Sequence, residues 1–338
     1  MGLGAPPQPV DVIALAHAVP RRRGAALFAS PLRYPGGKRK LASFIRLVTA
    51  SNGLENGDYA EVFAGGAAVA LSLMFGEYTR RIHINDIDAG VFAFWAAAKD
   101  QTEDLCRRIW DIPLTPEEWR RQRAVLDADT PDPLDLALAT FYLNRTNRSG
   151  IIRGGMIGGV AQSGEWSLDA RFHKPDLVRR IARIGRYRDR IRIYNLDAAI
   201  FLKTVATVLP ARSLIYLDPP YYVQGQEELY ASYYRPGDHA AVADLVNGLS
   251  HSWIVSYDDR PEIRALYASF RSLSYGISYS AQDRYAGREI AFFSNDLDLP
   301  EVDDPTKVGA NLLGDDHARR PRPGRHGRDR ASRAEPGA

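Results

Sequence analysis

Leu214-Ile215-Tyr216-Leu217-Asp218-Pro219-Pro220-Tyr221-Tyr222 joins an unbroken apolar run to a proline-fixed turn. The apolar run reads as a strand. Each residue of the tetrapeptide that follows suits one task. The Asp218 carboxylate can accept a hydrogen bond from an amine. Pro219 and Pro220 fix φ and offer carbonyls with no competing N–H. Tyr221 supplies a flat face against which a planar base can stack. An ordinary proline-rich turn has the same composition, so the surroundings must decide between the two readings.

Working outward, strands and helices alternate. Residues 59–63 form a short apolar strand, followed by Gly65-Gly66 and an Ala/Leu-rich helix to about Phe75. Residues 81–87 form a second strand containing Asp86 near its end, and residues 89–98 open the next helix. Further strands are predicted at 191–194, 214–217, 253–256, 270–275 and 289–293. Helices fit between the first three of these. The last two leave no room for one and are expected to pair antiparallel. Alternating units imply an α/β fold with a mainly parallel sheet covered on both faces.

Residues 100–150 break the alternation with a purely helical pattern. Thr115-Pro116-Glu117-Glu118 is a helix start, with Thr115 at the N-cap and Pro116 at the first helical position. Residues 150–172 are Gly-rich with Val, Ile, Trp and Phe, which suits a β-hairpin, and 175–187 form a basic helix. Residues 101–189 therefore read as an inserted domain between the catalytic segments 28–100 and 190–300. Residues 1–27 are expected to be poorly ordered. Residues 302–338 lose apolar content and read as a disordered basic tail.

The chain has 338 residues and a net charge of +3. The tail carries most of the positive excess: residues 317–338 hold seven arginines against Asp329 and Glu335. A globally basic surface is therefore not the signature, and nucleic-acid contact must come from local patches. The single cysteine, Cys106, excludes an internal disulfide and a cysteine-based metal site. No apolar run approaches the length of a membrane span, and no signal peptide is legible, so a cytoplasmic protein is expected.

Three further features carry chemistry. The turn Glu61-Val62-Phe63-Ala64-Gly65-Gly66-Ala67 lets a ligand approach the backbone near a helix N-terminus, or simply packs helix on strand. Asp86, some way on at the second strand's end, can hold the hydroxyls of a ribose. Pro35-Gly36-Gly37-Lys38 is not a nucleotide-hydrolase phosphate loop, because the spacing and the preceding strand are missing. Lys38 can instead contact a carboxylate or a phosphate, or decorate a surface turn. Asp197 can bind a cofactor amine or cap the following helix.

The ordered set of Arg33–Lys38, Phe63-Ala64-Gly65-Gly66, an insert and Asp218-Pro219-Pro220-Tyr221 resembles the Dam-type, D12-class adenine-specific N6 DNA methyltransferases, over roughly residues 30 to 296. The resemblance implies a Rossmann-like S-adenosylmethionine-dependent methyltransferase sheet with an inserted helical and β-hairpin target-recognition domain. It implies that Tyr34, Lys38, Phe63, Gly65, Gly66, Asp86, Asp197 and Asp218 bind S-adenosylmethionine. Asp218, Pro219, Pro220 and Tyr221 would form the catalytic motif, and no metal is required. Phe141-Tyr142-Leu143-Asn144-Arg145 and Ser149-Gly150-Ile151-Ile152-Arg153 resemble the family's recognition segment. From these, Arg145, Arg148 and Arg153 are candidate DNA contacts. Val62, Ala67 and Tyr34 replace a Pro, a Gly and a Trp found in some relatives. Beyond Arg153 the match degrades, so no target sequence is implied.

The expected reaction is methylation of N6 on an adenine rotated out of duplex DNA. An RNA adenine methyltransferase and a catalytically silent nucleic-acid binder are the alternatives. Double-stranded DNA is the expected partner. The resemblance admits a cognate restriction endonuclease, and a monomer is expected.

Overall fold

A computed structural model describes residues 11–19, 30–34, 38–222, 234–278 and 286–308. In chain order, α1 (Val12–Ala18) and α2 (Ala42–Ser51) precede β1 (Asp58–Glu61), α3 (Ala68–Phe75), β2 (Arg81–Asn85) and α4 (Ala89–Asp100). A helical stretch follows: α5 (Thr102–Asp111), α6 (Pro116–Leu126), α7 (Pro133–Thr146) and α8 (Lys174–Arg186). Alternation resumes with β3 (Ile191–Tyr194), α9 (Ala198–Thr204), β4 (Leu214–Leu217), α10 (Pro236–Asn247), β5 (Ser252–Asp258) and α11 (Pro261–Leu266). The last strands are β6 (Arg271–Ser278) and β7 (Ala286–Phe293).

The strands form one sheet in the order β3-β2-β1-β4-β5-β7-β6. β3, β2, β1, β4 and β5 run parallel, and β7 is antiparallel to both β5 and β6. β6 and β7 pair antiparallel as expected, but β7 also inserts between β6 and β5. The fold is a Rossmann-like α/β sheet. Strand order reverses between β1 and β4, and the crevice outside their carboxyl ends is where such sheets take ligands.

β4 is apolar without alternation, as suits a strand covered on both faces. All four residues of β4 are buried. Tyr59, Leu214 and Tyr216 point into one apolar cluster with α3, α4, α7 and α8. Ala60, Val62, Ile215 and Leu217 point into the other with α9 and α10. The helices of the insert share the first cluster. Phe141 of α7 stacks on Phe94 of α4 with ring centroids 5.4 Å apart.

Three sequence expectations are corrected. Within the segment expected to be poorly ordered, residues 12–18 form α1. Asp11 caps it, and Arg179 of α8 donates to the Ala16 and Val19 carbonyls at 2.6 and 2.9 Å. Residues 150–172 contain no strand. Their ladder is reduced to one antiparallel bridge, Asn147 to Met156. Positive φ at Ser149, Gly150, Gly158, Gly159 and Gln162 bends the chain away from an extended ladder. The start of the expected disordered tail is also corrected: Val308 is buried in the first apolar cluster and Val302 packs against it, while residues 1–10, 20–29 and 309–338 lie outside the described residues.

Candidate active site

Asp218 leaves the carboxyl end of β4 into the crevice. Its Oδ1 accepts from Ser256 Oγ at 2.9 Å and pairs with Lys38 Nζ at 2.9 Å. Ser256 lies on β5 and is held in turn by Tyr216 of β4, 2.7 Å away. Ser256 has a single hydrogen and gives it to Asp218, so Tyr216 must donate to Ser256. The Asp218 side chain is 21% exposed. Burial raises its carboxyl above the usual carboxylate range, Lys38 pulls it down, and Glu289 pushes it up again.

Lys38 is buried, not displayed on a surface turn. Its ammonium also pairs with Glu289 Oε1 of β7 at 3.2 Å and donates to Tyr221 OH at 3.3 Å. Tyr221 OH donates to the same Glu289 oxygen at 2.6 Å. The ammonium stands 5.2 Å from the Tyr221 ring centroid. Of the readings open for Lys38, the geometry selects the carboxylate contact. Pro35, Gly36 and Gly37 lie outside the described residues.

On the other side of β1, Asn85 stitches three strand ends together. Its amide donates to Val62 O and Leu196 O at 3.0 and 2.9 Å and accepts from Leu196 N at 2.9 Å. Asp86 follows it directly. The Asp86 oxygens accept from Gly65 N at 2.8 Å and Asp88 N at 3.0 Å. Burial pushes its carboxyl up to about 6, against the pull of those two amides. Tyr34 lies on the glycine turn: a Cβ on Gly65 would meet its ring at 2.7 Å, and one on Gly66 its Cβ at 3.3 Å. Phe63 packs edge-on against Tyr234, with centroids 5.7 Å apart. Asp197 caps α9 by accepting from Ala199 N at 2.8 Å.

Glu61 ends β1 behind the glycine turn. Its Oε1 accepts from Ala70 N of α3 at 3.3 Å and from Tyr59 OH at 3.4 Å. It thereby caps a helix whose own N-cap, Ala67, has no side-chain acceptor and sits at φ 45°. Glu61 Oε2 is buried with no hydrogen-bond partner among the described residues. Burial pushes the carboxyl up to about 8. An orphaned acid, a partly exposed Asp86 and aromatic rings around a glycine turn fit a cationic, ribose-bearing group.

The three recognition arginines do not stand together. Arg148 and Arg153 are exposed, and Arg153 pairs with Asp127 at 2.7 Å. The structure does not bring Arg145 to that surface. It is buried, and its Nε donates to Pro31 O at 2.7 Å. Burial and two neighbouring arginines lower its guanidinium to about 9. Arg145 straps the entrance segment to α7.

The sequence model described as D12 class N6 adenine-specific DNA methyltransferase matches residues 34–280, well over half of the chain. The chain belongs to that family. Membership makes it an adenine N6-methyltransferase, and implies S-adenosylmethionine as methyl donor and DNA as partner. No curated protein matches this methyltransferase by sequence. Among solved structures it is similar to a putative RNA methyltransferase, PH1948, from Pyrococcus horikoshii. Identity there is 9%, with 84% of this chain and 96% of that chain covered and a TM-score of 0.38. It is also similar to the rRNA methyltransferase aviRa from Streptomyces viridochromogenes, at 14% identity, 83% and 95% coverage and a TM-score of 0.35. Scores this low carry no argument on substrate.

Sequence reasoning missed Ser256, Tyr216 and Glu289 of this methyltransferase. Ser256 and Tyr216 sit inside apolar strands, where a hydroxyl carries no signal until its partner is known. No helix among the described residues is long and apolar enough to cross a membrane.

Proposed function

We propose that this protein is a site-specific DNA adenine N6-methyltransferase acting on duplex DNA. The observation that carries the reading is Asp218 at the end of β4, with Oδ1 anchored by Lys38 and Ser256 and its side chain still partly exposed. That anchoring leaves Oδ2 to meet the amine. S-adenosylmethionine, when bound, supplies an electrophilic methyl group on a sulfonium. Phe63, Gly65, Gly66 and Tyr34 would border its methionine end, with Lys38 nearby. Asp86 would hold its ribose, and Asp197 would sit near its adenine.

The target adenine must leave the duplex stack before its N6 is reachable. Tyr221 offers the stacking face. Asp218 Oδ2 and the Pro219 carbonyl accept the N6 hydrogens, which frees the nitrogen lone pair. That lone pair forms the new N–C bond as the C–S bond breaks with its electrons onto sulfur, and the cationic N6 then gives up one proton, past Asp218 Oδ2, to water. Pro220 keeps the turn rigid. The acceleration comes from holding two reactants in one crevice and from fixed acceptors facing the positive charge that develops on nitrogen. Residues 28–100 and 190–300 carry the transfer, and 101–189 read the target. Arg148 and Arg153 are the exposed cations that would meet DNA. The Arg153–Asp127 pair is solvent-exposed and holds Arg153 only weakly, so a guanine edge can take its place.

The test offers a labelled methyl donor with duplex DNA, single-stranded DNA and RNA, followed by nucleoside analysis. Label in N6-methyladenosine from the deoxy series, with duplex preferred, is expected. Label confined to RNA, or no label at all, would overturn the reading in favour of an RNA enzyme or a silent binder. Asp218→Ala should lower single-turnover transfer by at least about 1,000-fold with the fold intact by circular dichroism. A mutant as fast as wild type would remove Asp218 from the mechanism.

A further inference from the structure

Glu289 lies on β7, beyond residue 280 where the family match ends, and its side chain is fully buried. It holds both groups that flank the catalytic carboxylate: the Lys38 ammonium at 3.2 Å and the Tyr221 hydroxyl at 2.6 Å. We propose that Glu289 is a positioning residue for methyl transfer. It shares Lys38 with Asp218, so the site keeps a net negative charge, and it fixes the plane of Tyr221. The inference rests on the adenine-methylating reading above.

The argument is one of charge and of geometry. Asp218 and Lys38 alone would be a neutral pair, and the ammonium would press against the carboxylate that must serve the amine. As N6 attacks, it turns cationic. A neutral pair offers that charge no net attraction. A second carboxylate on the same ammonium leaves one negative charge in excess, in surroundings where charges are weakly screened. Two acids this close are tolerated in a buried site because one ammonium pairs with both, at 2.9 and 3.2 Å. The phenol bond also ties the Tyr221 ring at its far end, which sets the surface an extruded base would meet. Glu289 touches neither adenine nor donor in this scheme and acts through Lys38, Asp218 and Tyr221.

The groups facing Asp218 come from every neighbouring element. Glu61 and Tyr59 stand on β1, Tyr216 on β4, Ser256 and Tyr257 on β5, Tyr275 on β6, Glu289 on β7, and Lys38 before α2. Of the two acids, Glu289 shares the cation with Asp218 and repels its carboxylate. Removing that repulsion while Lys38 stays would lower the Asp218 carboxyl. The acid limb of the rate–pH profile would then move to lower pH.

Glu289→Gln keeps the shape and an oxygen for Tyr221, and removes the charge. With wild type shown to methylate duplex adenine, E289Q should lose about 100-fold in single-turnover rate. Its acid limb should shift to lower pH, and donor affinity should fall far less than the rate. A rate within about threefold of wild type, or a slow variant with an unshifted acid limb, overturns the proposal; the latter is what loosened packing alone would give. Should E289Q fail to fold, Tyr221→Phe leaves both charged partners in place and removes the hydroxyl that Glu289 and Lys38 hold. A 2-aminopurine target should then emit more brightly than with wild type, and unchanged emission overturns the proposal. A wild type that does not methylate adenine would instead defeat the underlying reading.

Discussion

Asp86 sits where two backbone amides and burial pull in opposite directions, and burial wins. With its carboxyl at about 6, the group is ionised at neutral pH and protonated in mild acid. Ribose hydroxyls donate well only to the ionised form. Donor affinity should therefore be flat above about pH 7. It should weaken by up to about tenfold per pH unit below 6. Titration calorimetry at several pH values reads this directly, and Asp86→Asn should flatten the profile while weakening binding throughout. Asp86 was legible from its place after the second strand and the glycine turn before it, and Asp218 from the Pro-Pro-Tyr that follows it. Glu289 was not. In Ala286-Gly287-Arg288-Glu289-Ile290 it reads as one half of a solvent-facing alternation. Only its meeting with Lys38, far away in the chain, makes it a buried group.

At the scale of elements, α7 ties the loop after it to the active site. Asn144 near its end is fully buried. Its amide accepts from Arg33 N at 2.8 Å, and donates to Arg33 O at 2.5 Å and Gly150 O at 2.8 Å. Gly150 is pressed so close that a Cβ there would meet Arg33 O at 2.6 Å. One side chain thus joins the loop at Gly150 to Arg33, next to Tyr34. Asn144→Ala would leave three buried backbone groups unpaired, and should destabilise the protein by about 3 kcal/mol. Urea unfolding measures that loss. Transfer should slow as well, because the chain at Tyr34 loses its footing. The helices were readable from capping and periodicity, and Thr115 does accept from Glu118 N at 3.2 Å. The expected hairpin failed for a physical reason. Where a ladder would satisfy the backbone, amide side chains do so instead. Asn147 donates to Ile151 O and Ile152 O at 3.0 and 2.8 Å. Gln162 donates to Ile157 O and Gly159 O at 2.8 and 2.7 Å. Glycine-rich composition signals such a stitched loop and a hairpin alike.

For the whole molecule, the parallel half of the sheet was legible because short strand patterns alternate with helical ones, as in β1-α3-β2-α4. The place of β7 was not legible, since antiparallel pairing of neighbours in sequence says nothing about which of the two meets the rest of the sheet. β7 closes the edge of β5, and buries Ile290, Phe292 and Phe293 while delivering Glu289. A chain ending before residue 286 should therefore transfer no methyl groups and should aggregate through the exposed β5 edge. Light scattering and the labelled-donor assay check both outcomes on the truncated protein.

The order of synthesis gives this architecture a temporal meaning. Lys38 leaves the ribosome before Asp218, and Asp218 before Glu289. A nascent chain can build the donor side of the crevice while β7 is still in the exit tunnel. The anionic triad closes only when the final strand slides into the sheet. Full activity would thus require synthesis to pass β7, and a polypeptide terminated before it would transfer no methyl groups.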